Sequence, residues 1–187
     1  MKLRALLETS KYTKFRQYLW GFKKTKGIAI MTPENPNSVT LSNEENNKLM
    51  VKGKDLLKAN GHNNYDKQKG LYGNMANSLI VYDISEDEAK EIGKGWVQDS
   101  IIFITQGNTK KRIKPLFDMI RINPKSKWLD VPNILVENIM ELTDTAEMYS
   151  QIGNNKYEIP FFGDDAVKVD SNTHNVSDDK IEVKKQA

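Results

Sequence analysis

The pattern of hydrophobic and polar positions changes period repeatedly along the first hundred residues, and each change marks an element. Tyr12, Phe15, Tyr18, Leu19 and Phe22 recur near helical spacing. Residues 3–20 are therefore expected to form a helix, with a break near Thr9-Ser10, where a hydroxyl can cap a second segment. Ile28 to Met31 is an unbroken apolar run, read as a buried strand. Pro33 and Pro36 stop that strand, because each lacks an N–H donor and fixes its own φ. Ser42 and Glu45 have capping-box spacing, predicting a helix from there to about Asn60, and Gly61 is a suitable stop. Residues 63–72 read as a polar edge strand and Ser78 to Ile84 as a stronger one. Ser85 and Glu88 form a second capping box, opening a helix to about Val97, and Ile101 to Thr105 is a further strand.

The order β-α-β-β-α-β predicts an α+β fold of the split-βαβ, ferredoxin-like kind, with both helices on one face of a mixed four-stranded sheet. Beyond Gly107 the pattern is less decisive. Residues 109–122 fit either strand or helix. Pro132 to Thr143 places Ile134, Leu135, Asn138, Ile139 and Leu142 at helical spacing, and Lys156 to Phe162 reads as a strand. From Gly163 onward apolar residues are scarce, the composition of a flexible tail. The expected organisation is an N-terminal helical segment (1–27), a core domain (28–105), an extension packed on it (106–163) and a polar tail (164–187).

Composition removes whole classes of chemistry. The chain has no cysteine, so disulfides, thiolate metal sites and cysteine nucleophiles are excluded. His62 and His174 are far apart in sequence, which argues against a histidine metal cluster. No metal and no cofactor is expected. Nucleotide-binding glycine loops, the GxSxG elbow and the zinc-protease motif are all missing, so catalysis would have to fall to groups such as Glu34, Tyr72 or Asp99. No apolar run approaches the roughly 20 residues of a membrane span. The N-terminal apolar run is ended by Glu8, and a cytoplasmic location is expected.

The most informative polar residue lies on the first capped helix. Leu49, Met50, Leu56 and Leu57 define its apolar stripe, and Asn46 and Gly53 fall in the middle of that stripe. A buried amide left unpaired costs about 1–3 kcal/mol. Asn46 must therefore find a partner, and the Asn35-Pro36 loop is the nearest candidate. Two readings follow. Asn46 pins that loop, or it edges a pocket at the strand ends together with Glu34 and Asn35. Gln98-Asp99-Ser100 and Asn77-Ser78 also lie at strand starts, and Tyr72 is set between Gly70 and Gly73. The ligand-binding candidates are Glu34, Asn35, Asn46, Tyr72, Ser78, Gln98 and Ser100.

The net charge is only +3, but its distribution is uneven. Lys110, Lys111, Arg112, Lys114, Arg121, Lys125 and Lys127 crowd one stretch against the single acid Asp118. That stretch is either a solvated basic face or a phosphate-contacting surface, with Lys110, Lys111, Arg112, Lys114 and Arg121 as nucleic-acid candidates.

Residues 28–104 carry a series of short motifs in order. They are Thr32-Pro33-Glu34-Asn35-Pro36, Ser42 to Asn47, Gly70-Leu71-Tyr72-Gly73, Ser78-Leu79-Ile80-Val81 and Gln98-Asp99-Ser100-Ile101. The series resembles an uncharacterised family of bacterial and phage proteins, a domain of unknown function. That family usually places a Glu just before the Ser-hydrophobic strand, where this chain has Ala76-Asn77. The N-terminal helix and the Tyr157-Glu158-Ile159-Pro160-Phe161-Phe162 ending are similar to accessory proteins of T4-like phages. The resemblance implies a phage origin and gives no reaction. The expected role is a non-enzymatic module that binds a host or phage protein or a small ligand. The alternatives are a virion-associated assembly component and a nucleic-acid binder.

Overall fold

The computed structural model describes residues 2–72, 74–108, 113–126, 130–135, 149–157, 167–169 and 176–180. The chain is α+β, and among the described residues three α-helices are laid on an antiparallel sheet. Helix α1 spans Lys2–Leu19, followed by strand β1 (Ile28–Met31), a single 3-10 turn (Pro36–Ser38), helix α2 (Asn43–Ala59), strands β2 (Tyr65–Tyr72) and β3 (Asn74–Tyr82), and helix α3 (Glu86–Gly95). Strands β4 (Ser100–Asn108), β5 (Ile113–Arg121), β6 (Val131–Leu135), β7 (Tyr149–Ile152), β8 (Asn155–Tyr157), β9 (Val167–Val169) and β10 (Val176–Lys180) complete it. The strand order is β10-β9-β6-β5-β4-β1-β3-β2-β7-β8.

Both interior helices start where the sequence says they should. The Ser42 hydroxyl accepts from the Glu45 N–H, and the Glu45 carboxylate accepts from the Ser42 N–H at 3.0 Å. Ser85 and Glu88 repeat the arrangement at the start of α3, with the Ser85 N–H 2.9 Å from the Glu88 carboxylate. Each box satisfies two N–H groups that the first turn of a helix leaves without partners. In both cases the serine hydrogen bonds hold the glutamate pKa below its ordinary value. Gly61 follows α2 at φ +82, a conformation that favours glycine.

Strand β1 is central and buried at all four positions because each face of the sheet is covered. Ala29 and Met31 pack with Leu79, Val81, Ile101 and Phe103 under Met50 and Leu57 of α2 and Ala89, Ile92 and Trp96 of α3. Ile28 and Ile30 point the other way, into Ile80, Tyr82, Ile104, Phe117, Ile152 and Tyr157, beneath Tyr12, Phe15, Tyr18 and Leu19 of α1. The alternation follows from the two-residue period of a strand.

Several expectations are corrected. Every strand pairing among the described residues is antiparallel, so the sheet is not mixed, and it runs to ten strands instead of four. As expected, α2 and α3 share one face, but α1 covers the other. Strand β2 is not an edge, because β7 pairs along its outer side through Lys69, Gly70 and Leu71. Helix α1 runs through Thr9-Ser10 without a break. Residues 113–121 form a strand, paired with β4 from Ser100↔Arg121 to Asn108↔Ile113. Val131–Leu135 is also a strand, paired with Leu116 and Phe117, where helical spacing predicts a helix. A short apolar run fits both periods, and here the neighbouring strand decides. Residues 136–143, the rest of that expected helix, lie outside the described residues, as do 158–162 of the expected final strand and most of the expected tail. Within that tail, β9 and β10 pair with each other, and β9 pairs with β6.

Candidate functional site

Where β1 ends, the chain cannot stay in the sheet. Pro33 and Pro36 force it outward, and the loop from Thr32 to Leu41 is closed by side chains instead of by a ladder. The Thr32 hydroxyl donates to the Asn77 carbonyl at 2.5 Å and accepts from the Glu34 N–H at 3.0 Å. The Asn77 N–H and its side-chain amide donate to the two Glu34 carboxylate oxygens, each at 2.8 Å. The buried carboxylate is thus engaged at both oxygens by one residue of β3.

Asn46, one turn into α2, is buried as its place in the stripe predicts. Its carbonyl oxygen accepts from the Asn35 N–H at 3.0 Å, and its amide donates to the Asn35 side-chain oxygen at 3.0 Å and to the Leu41 carbonyl at 3.3 Å. The Leu41 N–H also donates to the Asn35 side-chain oxygen, at 3.0 Å. Asn46 therefore pins the loop through a reciprocal pair with Asn35. Gly53 is on the same stripe because α2 approaches the loop closely there. A Cβ on Gly53 would lie 2.8 Å from Pro33 Cγ and 3.3 Å from Trp96 Cζ2. Of the four leucines and methionines that define the stripe, Met50 and Leu57 are buried, Leu49 is half-buried and Leu56 is exposed.

The 3-10 turn is tied to the α3–β4 connection. The Asn37 N–H donates to the Val97 carbonyl at 2.9 Å, and the Ser38 hydroxyl donates to the Asp99 carboxylate. Asn123, after β5, donates to the other Asp99 oxygen at 3.1 Å, while the Asp99 carbonyl accepts from the Ile122 and Asn123 N–H groups. Gln98 is buried, its N–H bonded to the Gly93 carbonyl at 3.0 Å. The Gln98 side-chain oxygen and the Trp96 indole nitrogen have no hydrogen-bond partner among the described residues.

Four backbone positions in this knot have positive φ without being glycine: Asn35 (51°), Asn37 (52°), Ser38 (57°) and Val97 (54°). Asparagine tolerates this region, but a β-branched residue there is an outlier. Val39 and Val97 are 55% and 46% exposed beside these positions.

The structure thus gathers Glu34, Asn35, Asn46, Gln98 and Ser100 at one end of the sheet, with Ser78 next to Asn77 on the neighbouring strand. Tyr72 is not brought in. It lies four residues farther along β2 than Gln68, the partner of Ser78, or roughly 13 Å at strand rise. The basic stretch is also divided. Lys114 is paired opposite Gly107 and Arg121 opposite Ser100, at opposite ends and on opposite faces of β5. Lys110, Lys111 and Arg112 lie outside the described residues.

Sequence reasoning missed Asn123, whose only signal is an Asn-Pro turn after a strand. It also missed a second polar cluster under α1, buried at Gln68, Tyr82 and Tyr157 and half-buried at Lys14 and Asp66. There Tyr157 donates to the Gln68 carbonyl oxygen, Lys14 Nζ lies 2.9 Å from Asp66 Oδ2, and Asn64 donates to the Tyr18 hydroxyl at 2.9 Å. Tyr82 stacks on Tyr18 at 4.5 Å, with Lys14 4.4 Å from the Tyr82 ring centre. Burial, and then the nearby Asp66 carboxylate, push the Tyr82 phenol far above its usual pKa, so it stays neutral. The alternate polar positions Asp66 and Gln68 in β2 were the available signal.

No group of His, Asp or Glu among the described residues could hold a metal ion. Nor is any helix long and apolar enough to cross a membrane. The chain matches no protein-family model and no curated protein.

Proposed function

We propose that the chain is a non-enzymatic binding module of phage origin that holds a protein partner on the strained knot at the end of β1. The observation that supports this reading is the pairing of internal satisfaction with external strain. Beneath the loop, Glu34 and Asn46 use their polar atoms on Asn77, Asn35 and Leu41, which suits a clamp better than a general acid or base. Above it, Val97 is exposed on backbone held at an unfavourable φ, and Val39 is exposed directly after the positive-φ residues Asn37 and Ser38, its own backbone being extended. Such strain costs on the order of 1–3 kcal/mol per residue and clusters at ligand clamps and switch regions. A fixed loop presenting apolar side chains loses little conformational entropy on docking.

The phage assignment rests on the likeness of the N-terminal helix and the Tyr157-Glu158-Ile159-Pro160-Phe161-Phe162 ending to accessory proteins of T4-like phages, beside the motif series from Thr32 to Ile101. The quartet β4-β1-β3-β2, with α2 and α3 crossing one face, supports reading residues 28–108 as a split-βαβ unit to which further strands have been added.

Affinity capture from infected and uninfected host cells, with the wild type and Val39→Asp side by side, tests the proposal. The expected result is a partner retained by the wild type, lost by the variant, and bound again when both proteins are purified. The variant should keep the wild-type melting temperature, since Val39 is more than half exposed and outside both core clusters. Equal retention by both proteins overturns the assignment of the knot. A metabolite that raises the melting temperature would instead favour a small-ligand site.

A further inference from the structure

At the opposite end of the sheet the fold joins two basic segments that lie some eighty residues apart in sequence. The Gln106 side-chain amide donates to the Tyr18 carbonyl at 2.5 Å and to the Lys23 carbonyl at 2.7 Å. This fastens the turn after α1 to the β4–β5 hairpin. The turn reads Trp20-Gly21-Phe22-Lys23-Lys24-Thr25-Lys26, and Lys114 of β5 is paired opposite Gly107, one residue beyond Gln106. Neither segment contains an acid from Arg16 to Gly27 or from Ile104 to Phe117. On the α3 side Asp83 accepts from the Lys26 N–H and Glu88 feels the Lys26 charge, so Lys26 is left out of the proposed site.

Phe22 stands on this turn 81% exposed. The turn that presents it is fixed by Trp20 N–H to the Arg16 carbonyl, Gly21 N–H to the Tyr18 carbonyl at φ 74°, and Lys23 N–H to the Gln17 carbonyl. Lys23 itself lies 5.4 Å from the Tyr18 ring centre, its stem along the aromatic face. A solvent-facing aromatic ring on a hydrogen-bonded turn, followed by two lysines, combines a stacking platform with phosphate contacts.

We propose that this end of the molecule binds single-stranded nucleic acid, with a base stacked on Phe22 and the backbone tracked by Lys23 and Lys24. A flexible strand can bring an unpaired base to a single exposed ring, whereas the bases of a duplex are already stacked on one another. The binding is independent of sequence, because every base offers a π-face and every nucleotide a phosphate. The site is at the other end of the sheet from the knot, so either proposal can fail without the other.

The test is fluorescence anisotropy of a labelled oligothymidylate with the full chain across a salt series. Wild-type affinity should fall linearly in a log–log plot against salt. The double variant Lys23→Ala, Lys24→Ala should reduce that slope by about 1.4, at roughly 0.7 per single-strand phosphate contact. Phe22→Ala should weaken binding about 5- to 150-fold at fixed salt and leave the slope unchanged. Absence of binding at low salt, or full affinity in Phe22→Ala, overturns the proposal. So does binding to vesicles of anionic phospholipid with none to the oligonucleotide, which would make the patch a membrane contact. Unchanged melting temperatures in all variants exclude unfolding as the cause.

Discussion

The two faces of the sheet are held by different means. On the α2/α3 face, local signals predominate: two capping boxes, a glycine where helix meets loop, and an Asn–Asn pair eleven residues apart in sequence. On the α1 face there is no such local code. Tyr12 and Phe15 meet Tyr157 across most of the chain, at ring separations of 6.1 and 5.3 Å, and polar atoms from α1, β2, β3 and β8 are buried together. The first face is a set of short agreements between neighbours in sequence. The second exists only once distant strands have joined the sheet.

The sharpest way to break this comparison is Phe15→Ala. Phe15 is fully buried against Tyr157, so its loss should cost about 3–5 kcal/mol in urea denaturation. A cost no larger than that of removing a cap would mean that α1 lies outside the cooperative core. Gly53→Ala comes next. Alanine favours helix by about 1 kcal/mol, but the new methyl would meet Pro33 at 2.8 Å, and overpacking of this kind costs about 1–3 kcal/mol. A net loss of stability is expected, whereas a gain would show that the loop yields freely. Asn46→Ala should cost a similar 1–3 kcal/mol, because the Asn35 N–H loses its partner. Hydrogen exchange should then show faster opening confined to residues 34–41.

Ser42→Ala and Ser85→Ala should each cost about 1 kcal/mol at neutral pH. The Glu45 and Glu88 pKa values are lowered in the folded state, so their contribution is present above the ordinary glutamate range. It is lost as the pH falls through the depressed folded values. The stability difference between wild type and either variant should therefore shrink on acidification. The smallest effect concerns Lys54 on α2. Burial, and then the adjacent Lys67, lower its pKa from 10.5 to about 8. The folded state disfavours this charge, fully so below pH 8 and progressively less as the pH rises to 10.5. Lys54→Gln should raise the melting temperature by about 1–2 °C at neutral pH, with the gain disappearing in alkaline buffer.

The candidate knot was legible to the extent that its bonds are short in sequence. An amide at a core position of a capped helix has to find a partner, and the nearest loop supplies it. Asn35 and Asn46 followed from that argument, and Glu34 from its place in the same loop. Its partner Asn77 is on another strand and could be named only as a neighbour of Ser78. Asn123 and the Asp66–Gln68–Tyr157 cluster were hidden, because nothing near those residues in sequence shows that they are enclosed.

By itself the sequence determined the α+β class, the starts of α2 and α3, the strand cores from Ile28 to Thr105 and the exit of the chain after Met31. These depend on caps, prolines and side-chain period, which act over a few residues. Tertiary structure alone decided that the sheet runs to ten antiparallel strands, that α1 closes its second face, and that Val131–Leu135 is a strand. It also decided that the basic stretch is split between two ends of the molecule. Strand pairing is set by which edge is free and which apolar face is uncovered, and neither is a property of a segment considered alone.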